Sequence, residues 1–374
     1  MRSGVAAALL AIACCAGAGS PAGAQSPAGA GARIAASAAG APPPALQAPQ
    51  PPLTLTQAIA AARTTHPPPH PSLGPLFASA PAPASRPNPQ ATARIVALEQ
   101  SALRLALADA AATRRIQVMQ QFFAALSADR GYAMASERMS LAYGAFLNAS
   151  RRAERDAAAA LEAAELDARY RDRLRVRSEQ AMAQRLARIA LALALERPDA
   201  PPSELAEPEL PAGQLAVPAY ADAWPLVEQR HPRLAALRAL REASVLRTGR
   251  GADRVAGCPA IDADRVPARA AEAARCDRIG QALDEATRET RLELQSTLLS
   301  IEHLQGPARD AATRESAFRE LALDRARELN VQGQASHLGE AMTASLEAAD
   351  RERRVDYDLA LALARLDLLL GHQP

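Results

Sequence analysis

The sequence lacks lysine altogether, so all 43 basic side chains are arginines. The 41 acidic residues nearly balance them and leave a net charge of +2, which excludes a strong global field that would attract nucleic acid. Aromatic residues make up only 3% of the chain, and β-branched residues are also few, which argues against extensive β-structure. Ala, Leu, Arg and Glu dominate instead. Because these are the strongest helix formers, the ordered part is predicted to be all-α.

The N-terminus has the pattern of an export signal. Arg2 precedes the apolar run VAAALLAIA, and small residues follow as far as Ala24. This pattern predicts a signal peptide over residues 1–24, with cleavage after Ala24. A lipoprotein site at Cys14 is the alternative, although Ala11 stands where such sites favour leucine. No later run of about 18 apolar, uncharged residues occurs, so no spanning helix is predicted.

Cleavage would leave two of the four cysteines, Cys258 and Cys276. In an exported protein, two thiols separated by a short segment predict a disulfide. A metal pair is the alternative, but no histidine lies between them or beside them.

The sequence also carries no signature of catalysis. It contains no Gly-rich phosphate loop, nucleophile elbow or metalloprotease motif, and no two histidines lie four residues apart on a predicted helix. The stretch HPPPHP (66–71) could bind copper or zinc weakly, but a solvated linker explains it better. The sequence therefore predicts no enzyme, no cofactor and no metal site.

One unit occurs twice behind a disordered linker at 25–52. Repeat 1 (53–197) consists of a short helix that Thr54 or Thr56 can cap, a proline-rich linker at 67–90 and a long helical hairpin at 91–197. A second linker covers 198–219. Repeat 2 (220–371) consists of a short helix, an irregular insert at 249–267 and a hairpin at 268–371. Several pairs are in register between the two repeats: His66-Pro67 with His231-Pro232, Ile59 with Trp224, and Ala62 with Val227.

Heptad spacing predicts that the hairpins are built from very long helices. From Ala91, apolar residues recur at alternating intervals of three and four, with Asp109 as a polar intruder and a phase slip near Gly131. At 1.5 Å per residue, about sixty residues span roughly 90 Å. The predicted tips lie at 151–156 and 332–340, where Gly333 can take the positive φ that a helix end favours. A break or kink is predicted at 306–307, a Gly-Pro step.

The sequence resembles the TolC family of outer-membrane factors, which are duplicated exit ducts for drug efflux and type I secretion. Leu53 to Pro67 match the family's repeat-start helix LTLxxAIxxAxxxHP. Gly333, Ser336 and Leu338 match its Gly-x-x-Ser/Thr tip, and Tyr357 to Gly371 match its closing helix. The resemblance implies antiparallel helical hairpins, a homo-oligomer (a trimer in the family), and a tip that contacts a periplasmic adaptor protein coupled to an inner-membrane transporter.

Departures from the family pattern are also clear. Proline in 67–90 and the short, charged 249–267 leave no room for the β-hairpins that the family contributes to a membrane barrel. The expected fold is therefore a TolC-like periplasmic helical domain with a missing or vestigial β-barrel. The ascending helix after His66-Pro67 is missing too, and Asp156 stands near the place of the first tip's glycine.

Two functions follow as hypotheses. The first is a component of an efflux or type I secretion system that acts through its periplasmic helices, at the periplasm or the periplasmic face of the outer membrane. The alternative is a periplasmic coiled-coil scaffold with no transport activity of its own. A conduit relative should form a trimer or co-purify with an adaptor, whereas a scaffold could be monomeric or dimeric.

Overall fold

Helices make up almost all of the secondary structure in the computed structural model. It describes residues 51–63, 74–78, 89–154, 156, 158–210, 215–248, 267–333 and 337–371, all within the unit Gln50–Pro374. The α-helices in these ranges are α1 (Leu55–Arg63), α2 (Gly74–Ala78), α3 (Pro89–Ala153), α4 (Ala158–Ala194), α5 (Tyr220–Arg230), α6 (Pro232–Arg247), α7 (Pro267–His303), α8 (Arg309–Val331) and α9 (Leu338–Leu369). The predicted all-α class is therefore confirmed.

A capping box starts α1. The Gln57 backbone N–H donates to the Thr54 hydroxyl at 3.2 Å, and the Thr54 N–H donates to the Gln57 side chain at 3.0 Å, which satisfies two otherwise unpaired donors. Just before this cap, Leu53 forms an isolated parallel bridge with Leu205. The start of the first unit is thus tied to the connector that follows α4.

The first hairpin consists of α3 and α4. At 65 residues, α3 is about 97 Å long, and it runs through Gly131 without interruption although the heptad phase slips there. Across the hairpin, the Asp129 carboxylate accepts from Gln184 at 2.9 Å and from Arg188 at 3.0 Å. These bonds fix the register of α4 on α3.

The break or kink predicted at residues 306–307 is present as a short local irregularity between α7 and α8. Between α7 and α8, residues Leu304–Ala308 form a π-helical segment that includes Gly306 and Pro307. A π segment widens the turn, so the helix accommodates a proline that lacks an N–H and would crowd the preceding turn. The Gly-Pro step therefore yields a local bulge between two helices that follow each other directly.

The long helices contact one another in a fixed order. Among the described residues, α3 packs on α4 and on α9, and α9 packs on α8. The row α4–α3–α9–α8 results, with α4 and α8 at its ends. The short α1 packs on α3, while α6 lies against both α3 and α7. No helix in the described part of the chain has the length and apolar composition of a membrane span.

The short helices at the start of repeats 1 and 2, α1 and α5, are buried in equivalent ways. Ala58 and Ala62 of α1 are at most 1% exposed, in a cluster with Phe122 of α3 and Leu191 of α4. The corresponding residues of α5, Ala223 and Val227, are fully buried against α7 and α9. The register that pairs Ala62 with Val227 therefore matches equal burial in the two units.

The segment 67–90, which the sequence predicts to be a proline-rich linker, contains a short helix. Residues Gly74–Ala78 form α2, in which Leu76 is 7% exposed and packs against α6 and α7. Pro75 stands in the first turn, where a proline costs no hydrogen bond, and no further proline occurs before Pro81. The rest of this segment up to residue 88, and residues 249–266 of the insert, lie outside the described residues, so the predicted absence of β-hairpins stays a prediction.

Candidate assembly surfaces

The tip of the second hairpin lies between α8 and α9. Gly333 has a φ of +71°, and its N–H donates to the Asn330 carbonyl at 3.1 Å, a conformation in which glycine avoids the steric cost of a Cβ. Val331 is 87% exposed beside it, and Leu338 is half-buried as the first residue of α9. Ser336 lies outside the described residues. The tip thus presents an apolar side chain to solvent next to a tight backbone turn.

The tip of the first hairpin has no glycine. Asp156, which stands near the expected position, is exposed, and its carbonyl accepts from the Ala159 N–H at 3.1 Å. Arg152 and Glu162 form an ion pair across the tip at 2.8 Å. This tip is therefore polar, in contrast to the second one.

The two hairpins are joined side by side near their tips. Arg138 of α3 forms an ion pair with Glu347 of α9. Gly339 of α9 faces Leu141 of α3, and a Cβ at Gly339 would lie 3.6 Å from a Leu141 methyl group. The helices α3 and α9 therefore approach closely in the part of the molecule that carries the tips.

Each end of the helix row exposes an apolar face. Four large side chains on α4 recur at intervals of four, three and four residues, and each is 45–59% exposed: Met182, Leu186, Ile189 and Leu193. A second set on α7 and α8 is 64–68% exposed: Leu292, Leu299, Phe318 and Leu321. Helical spacing places the α4 residues on one face. We call these two sets the α4 edge and the α7/α8 edge.

The joint between α5 and α6 carries the second His-Pro pair. Pro232 is the first residue of α6, where its missing N–H costs nothing. His231 is 5% exposed, and its Nδ1 has no hydrogen-bond partner. Burial lowers the pKa of His231 to about 4, and the neighbouring Arg233 contributes, so the imidazole is neutral at physiological pH. His66 and Pro67, the corresponding pair, lie outside the described residues.

The polar intruder of the heptad pattern is buried next to this joint. Asp109 is 6% exposed on α3. Burial raises the pKa of its carboxyl to about 6, with Arg233 lowering the pKa and Glu293 raising it. Burial also raises the pKa of Glu293 above its ordinary value. The junction of α3, α6 and α7 thus contains two carboxyl groups that burial disfavours in their charged form.

A buried polar network lies beside Cys276. Arg275 is 1% exposed, and it donates to Glu272 at 3.0 Å and to the Leu76 carbonyl of α2 at 3.0 Å. The Ser244 hydroxyl of α6 donates to the same Glu272 at 2.6 Å. These bonds join α2, α6 and α7. Cys276 is fully buried and disulfide-bonded, while Cys258 lies outside the described residues, so the pairing of these two cysteines stays a prediction.

Tyr357 links the closing helix to the connector. Its hydroxyl donates to Glu207 at 2.6 Å, and its ring stacks on Phe123 with a centroid separation of 4.6 Å. Burial raises the pKa of Tyr357 well above its usual range, and the hydrogen bond to Glu207 raises it further. Arg130 lies over the same ring at 5.5 Å. From the sequence, Tyr357 was recognised only as part of the closing-helix motif. Its contact with Glu207 could not be predicted, because the two residues are 150 positions apart.

Comparisons with solved structures assign the fold. The chain is similar to the Campylobacter jejuni CmeC outer membrane channel, at 13% identity over 76% of this chain and 67% of that one, with a TM-score of 0.57. It is similar to the outer-membrane channel OprN, at 17% identity over 76% and 72%, with a TM-score of 0.55. It is also similar to the Vibrio cholerae outer membrane protein VceC, at 13% identity over 85% and 96%, with a TM-score of 0.52.

At these identities the similarity shows a shared fold. The scan of protein-family models finds no match, and neither does the search of curated proteins. The fold class is therefore that of the helical part of outer membrane channel proteins. The expected antiparallel helical hairpins are confirmed, while the tip, cleavage and repeat-start residues stay predictions about function.

Proposed function

We propose that this chain is a TolC-like outer-membrane-factor component of an efflux or type I secretion system, acting through periplasmic helices. The fold shared with CmeC, OprN and VceC supports the channel context. The single observation that carries the proposal is the pair of exposed apolar edges at the two ends of the helix row. In such an assembly no bond is made or broken, and substrate passes along a lumen lined by polar helix faces.

The two edges support a closed homo-oligomer. They differ in sequence, so one edge of a subunit would meet the other edge of its neighbour in a head-to-tail contact. Such a contact closes into a ring when the rotation between subunits divides a full turn, and a trimer is the state that the family resemblance implies. An edge that exposes four large apolar side chains is costly for a monomer to leave in water.

The tip at Gly333 supports a contact with an adaptor protein. Val331 is the most exposed large apolar side chain among the described residues, and it lies beside the Gly333 turn that the family pattern includes. The proposed partners are a periplasmic adaptor and, through it, an inner-membrane transporter. Export by the signal at 1–24, or lipidation at Cys14, would deliver the chain to the compartment where these partners act.

Sedimentation analysis tests the oligomer. The purified chain is expected to sediment as a trimer, and Leu186→Glu or Leu321→Glu should each dissociate it, because a carboxylate at either edge would be buried without a partner. Val96→Glu, at a site that is 45% exposed on α3 but outside both edges, is the matched control. A chain that is monomeric at all concentrations would contradict the conduit and favour the scaffold hypothesis.

Site-specific cross-linking tests the adaptor contact. A photo-reactive residue at Val331 should capture a periplasmic adaptor in cells, whereas the same residue at Glu165 on the exposed face of α4 should not. Equal capture from both positions would remove the tip from the proposal.

A further inference from the structure

A groove runs between α3, α8 and α9. Its volume is about 840 Å³, within the range of sites that take small organic ligands. Its apolar wall is formed by Met134 of α3, Leu323 of α8, and Met342 and Leu346 of α9. Methionine side chains adapt their shape to aromatic and aliphatic ligands. The groove therefore offers an apolar surface that fits more than one ligand outline.

The charged side chains along the groove are unevenly matched. Each of the three guanidinium groups lies within 4.0 Å of a carboxylate, and these pairs are Arg130 with Glu207, Arg327 with Asp324, and Arg353 with Asp356. Glu137, by contrast, makes no ion pair or hydrogen bond with a described residue. Arg130 pairs through Nη2 only, and its Nη1 is buried without a hydrogen-bond partner among the described residues. Each positive charge of the groove is thus balanced by a carboxylate, and the Glu137 carboxylate is left over.

Asp350 adds a second unfilled acceptor. It lines the groove and is 7% exposed. Its Oδ2 pairs with Arg354 at 2.7 Å, but its Oδ1 is buried without a hydrogen-bond partner. Leaving a buried acceptor unpaired is costly, so a donor that reaches Oδ1 would recover that cost. The Arg138–Glu347 ion pair holds this part of α9 against the part of α3 that carries Glu137.

We propose that the α3–α8–α9 groove binds an amphiphilic ammonium ion, with its apolar part on Met134 and Met342 and its N–H groups near Glu137 and Asp350. Charge complementarity selects this occupant, because a cation finds two unfilled acceptors whose negative charge is available. Among the described residues of the groove, an anion finds one unfilled donor, Arg130 Nη1, on a guanidinium whose charge Glu207 already balances. A hydrogen bond to a charged group contributes more than a neutral one. The inference does not depend on the proposed transport function, since binding is a property of the isolated chain.

Calorimetry with three matched probes tests the proposal. The probes are 1-naphthylmethylammonium, 1-naphthylmethanol and 1-naphthylacetate, which share the apolar ring and differ in charge. The ammonium ion is expected to bind the purified full chain at least tenfold more tightly than either of the others. Equal affinities, or tighter binding of the carboxylate, would overturn the proposal.

Variants locate the binding. Glu137→Gln and Asp350→Asn should each weaken binding of the ammonium probe about tenfold or more, which is the range for one lost charged hydrogen bond. Glu165→Gln, an exposed carboxylate on α4, is the control and should leave binding unchanged. Ala349→Trp should abolish binding by filling the groove, with no change in the circular dichroism spectrum.

A helix from a second copy of the chain is the competing occupant. In that case Ala349→Trp would lower the oligomeric state measured by sedimentation, and the ammonium probe would not bind to the assembled protein. That pair of results would overturn the proposal for a small cationic ligand. Binding that survives Glu137→Gln and Asp350→Asn would overturn it as well, since the probe would then lie elsewhere.

Discussion

Replacing Asp109 by asparagine should stabilise the protein near neutral pH. The carboxylate is 6% exposed, and burial raises its pKa from 3.8 to about 6. Asparagine keeps the size of the side chain and its hydrogen-bonding capacity but removes the charge. The variant also loses the attraction between Arg233 and the ionised carboxylate. This loss needs no separate estimate, because the pKa of about 6 already includes the effect of Arg233.

The pH dependence follows from the sign of the shift. Between pH 3.8 and about 6 the folded protein binds this proton more tightly than the unfolded chain does, so the free energy of unfolding falls as pH rises through this window. A shift of about two units, at 1.36 kcal/mol for each unit, corresponds to about 3 kcal/mol. Asp109→Asn should therefore gain about 2–3 kcal/mol above pH 7 and little or nothing at pH 4.

His231 changes the free energy of unfolding over an overlapping pH range, but in the opposite direction to Asp109. Its folded pKa of about 4 lies below the ordinary 6.5, so the unfolded chain binds the proton more readily and stability falls as pH drops from 6.5 towards 4. The two groups oppose each other in the wild-type protein, whose own pH profile is therefore flatter than either contribution. The difference between variant and wild type cancels the His231 contribution, because both proteins retain that residue.

Urea unfolding followed by circular dichroism at pH 7.5 and pH 4.0 measures the effect at a fixed protein concentration. Asp284→Asn, on the exposed face of α7, is the matched control and should change stability by less than about 0.5 kcal/mol at both pH values. A gain that is the same at both pH values would refute the burial argument. So would a loss of stability in Asp109→Asn at pH 7.5.

Further substitutions at Gly371, Glu196 and Arg275 test the backbone and the buried network. Gly371→Ala should lower the free energy of unfolding by about 1–3 kcal/mol, because φ is +70° and the new Cβ would lie 2.9 Å from backbone and side-chain atoms at the end of α5. Gly280→Ala, where nothing lies within 4 Å of the new Cβ, should instead raise the free energy of unfolding by up to about 1 kcal/mol. A melting temperature that is higher for Gly371→Ala than for Gly280→Ala would contradict the geometry. Glu196 has a φ of 57°, so Glu196→Gly should be about 1 kcal/mol more stable than Glu196→Ala. Both variants lose the ion pair with α3, so their difference reports the backbone alone. Equal melting temperatures would show that the backbone at this position is not strained. Arg275→Ala should cost about 3–5 kcal/mol in urea unfolding, because it leaves the Glu272 carboxylate buried without a counter-charge and, among the described residues, with only the Ser244 hydroxyl donating to it. Arg275→Ala combined with Glu272→Gln should recover part of that loss, and a double variant as unstable as Arg275→Ala alone would place the cost elsewhere.

Local sequence signals predicted the helices and their ends well. The alternating three and four spacing indicated a helix from Ala91, and α3 begins at Pro89. The pair His231-Pro232 divides α5 from α6, and Gly333 has the positive φ expected at a helix end. These features depend on residues within a turn or two of each other, where propensity and capping act directly.

The helix α2 was missed because the proline content of its surroundings outweighed a short local signal. Leu76 is buried against α6 and α7, and the Arg275 guanidinium donates to its carbonyl. A five-residue helix is too short to be stable by itself. Its formation therefore depends on contacts with residues about 160 to 200 positions later in the chain, which no local pattern contains.

The sequence by itself determined that this chain forms two units of long antiparallel helices with turns at defined residues, because helix formation responds to near neighbours. Only the tertiary structure decided which helices lie side by side, and hence that α4 and α8 form the ends of the row. It also decided that Asp350 keeps an unpaired oxygen beside a groove and that Asp109 is buried near Arg233. These features arise from side chains far apart in the sequence, whose approach is set by packing of whole helices rather than by any short run of residues.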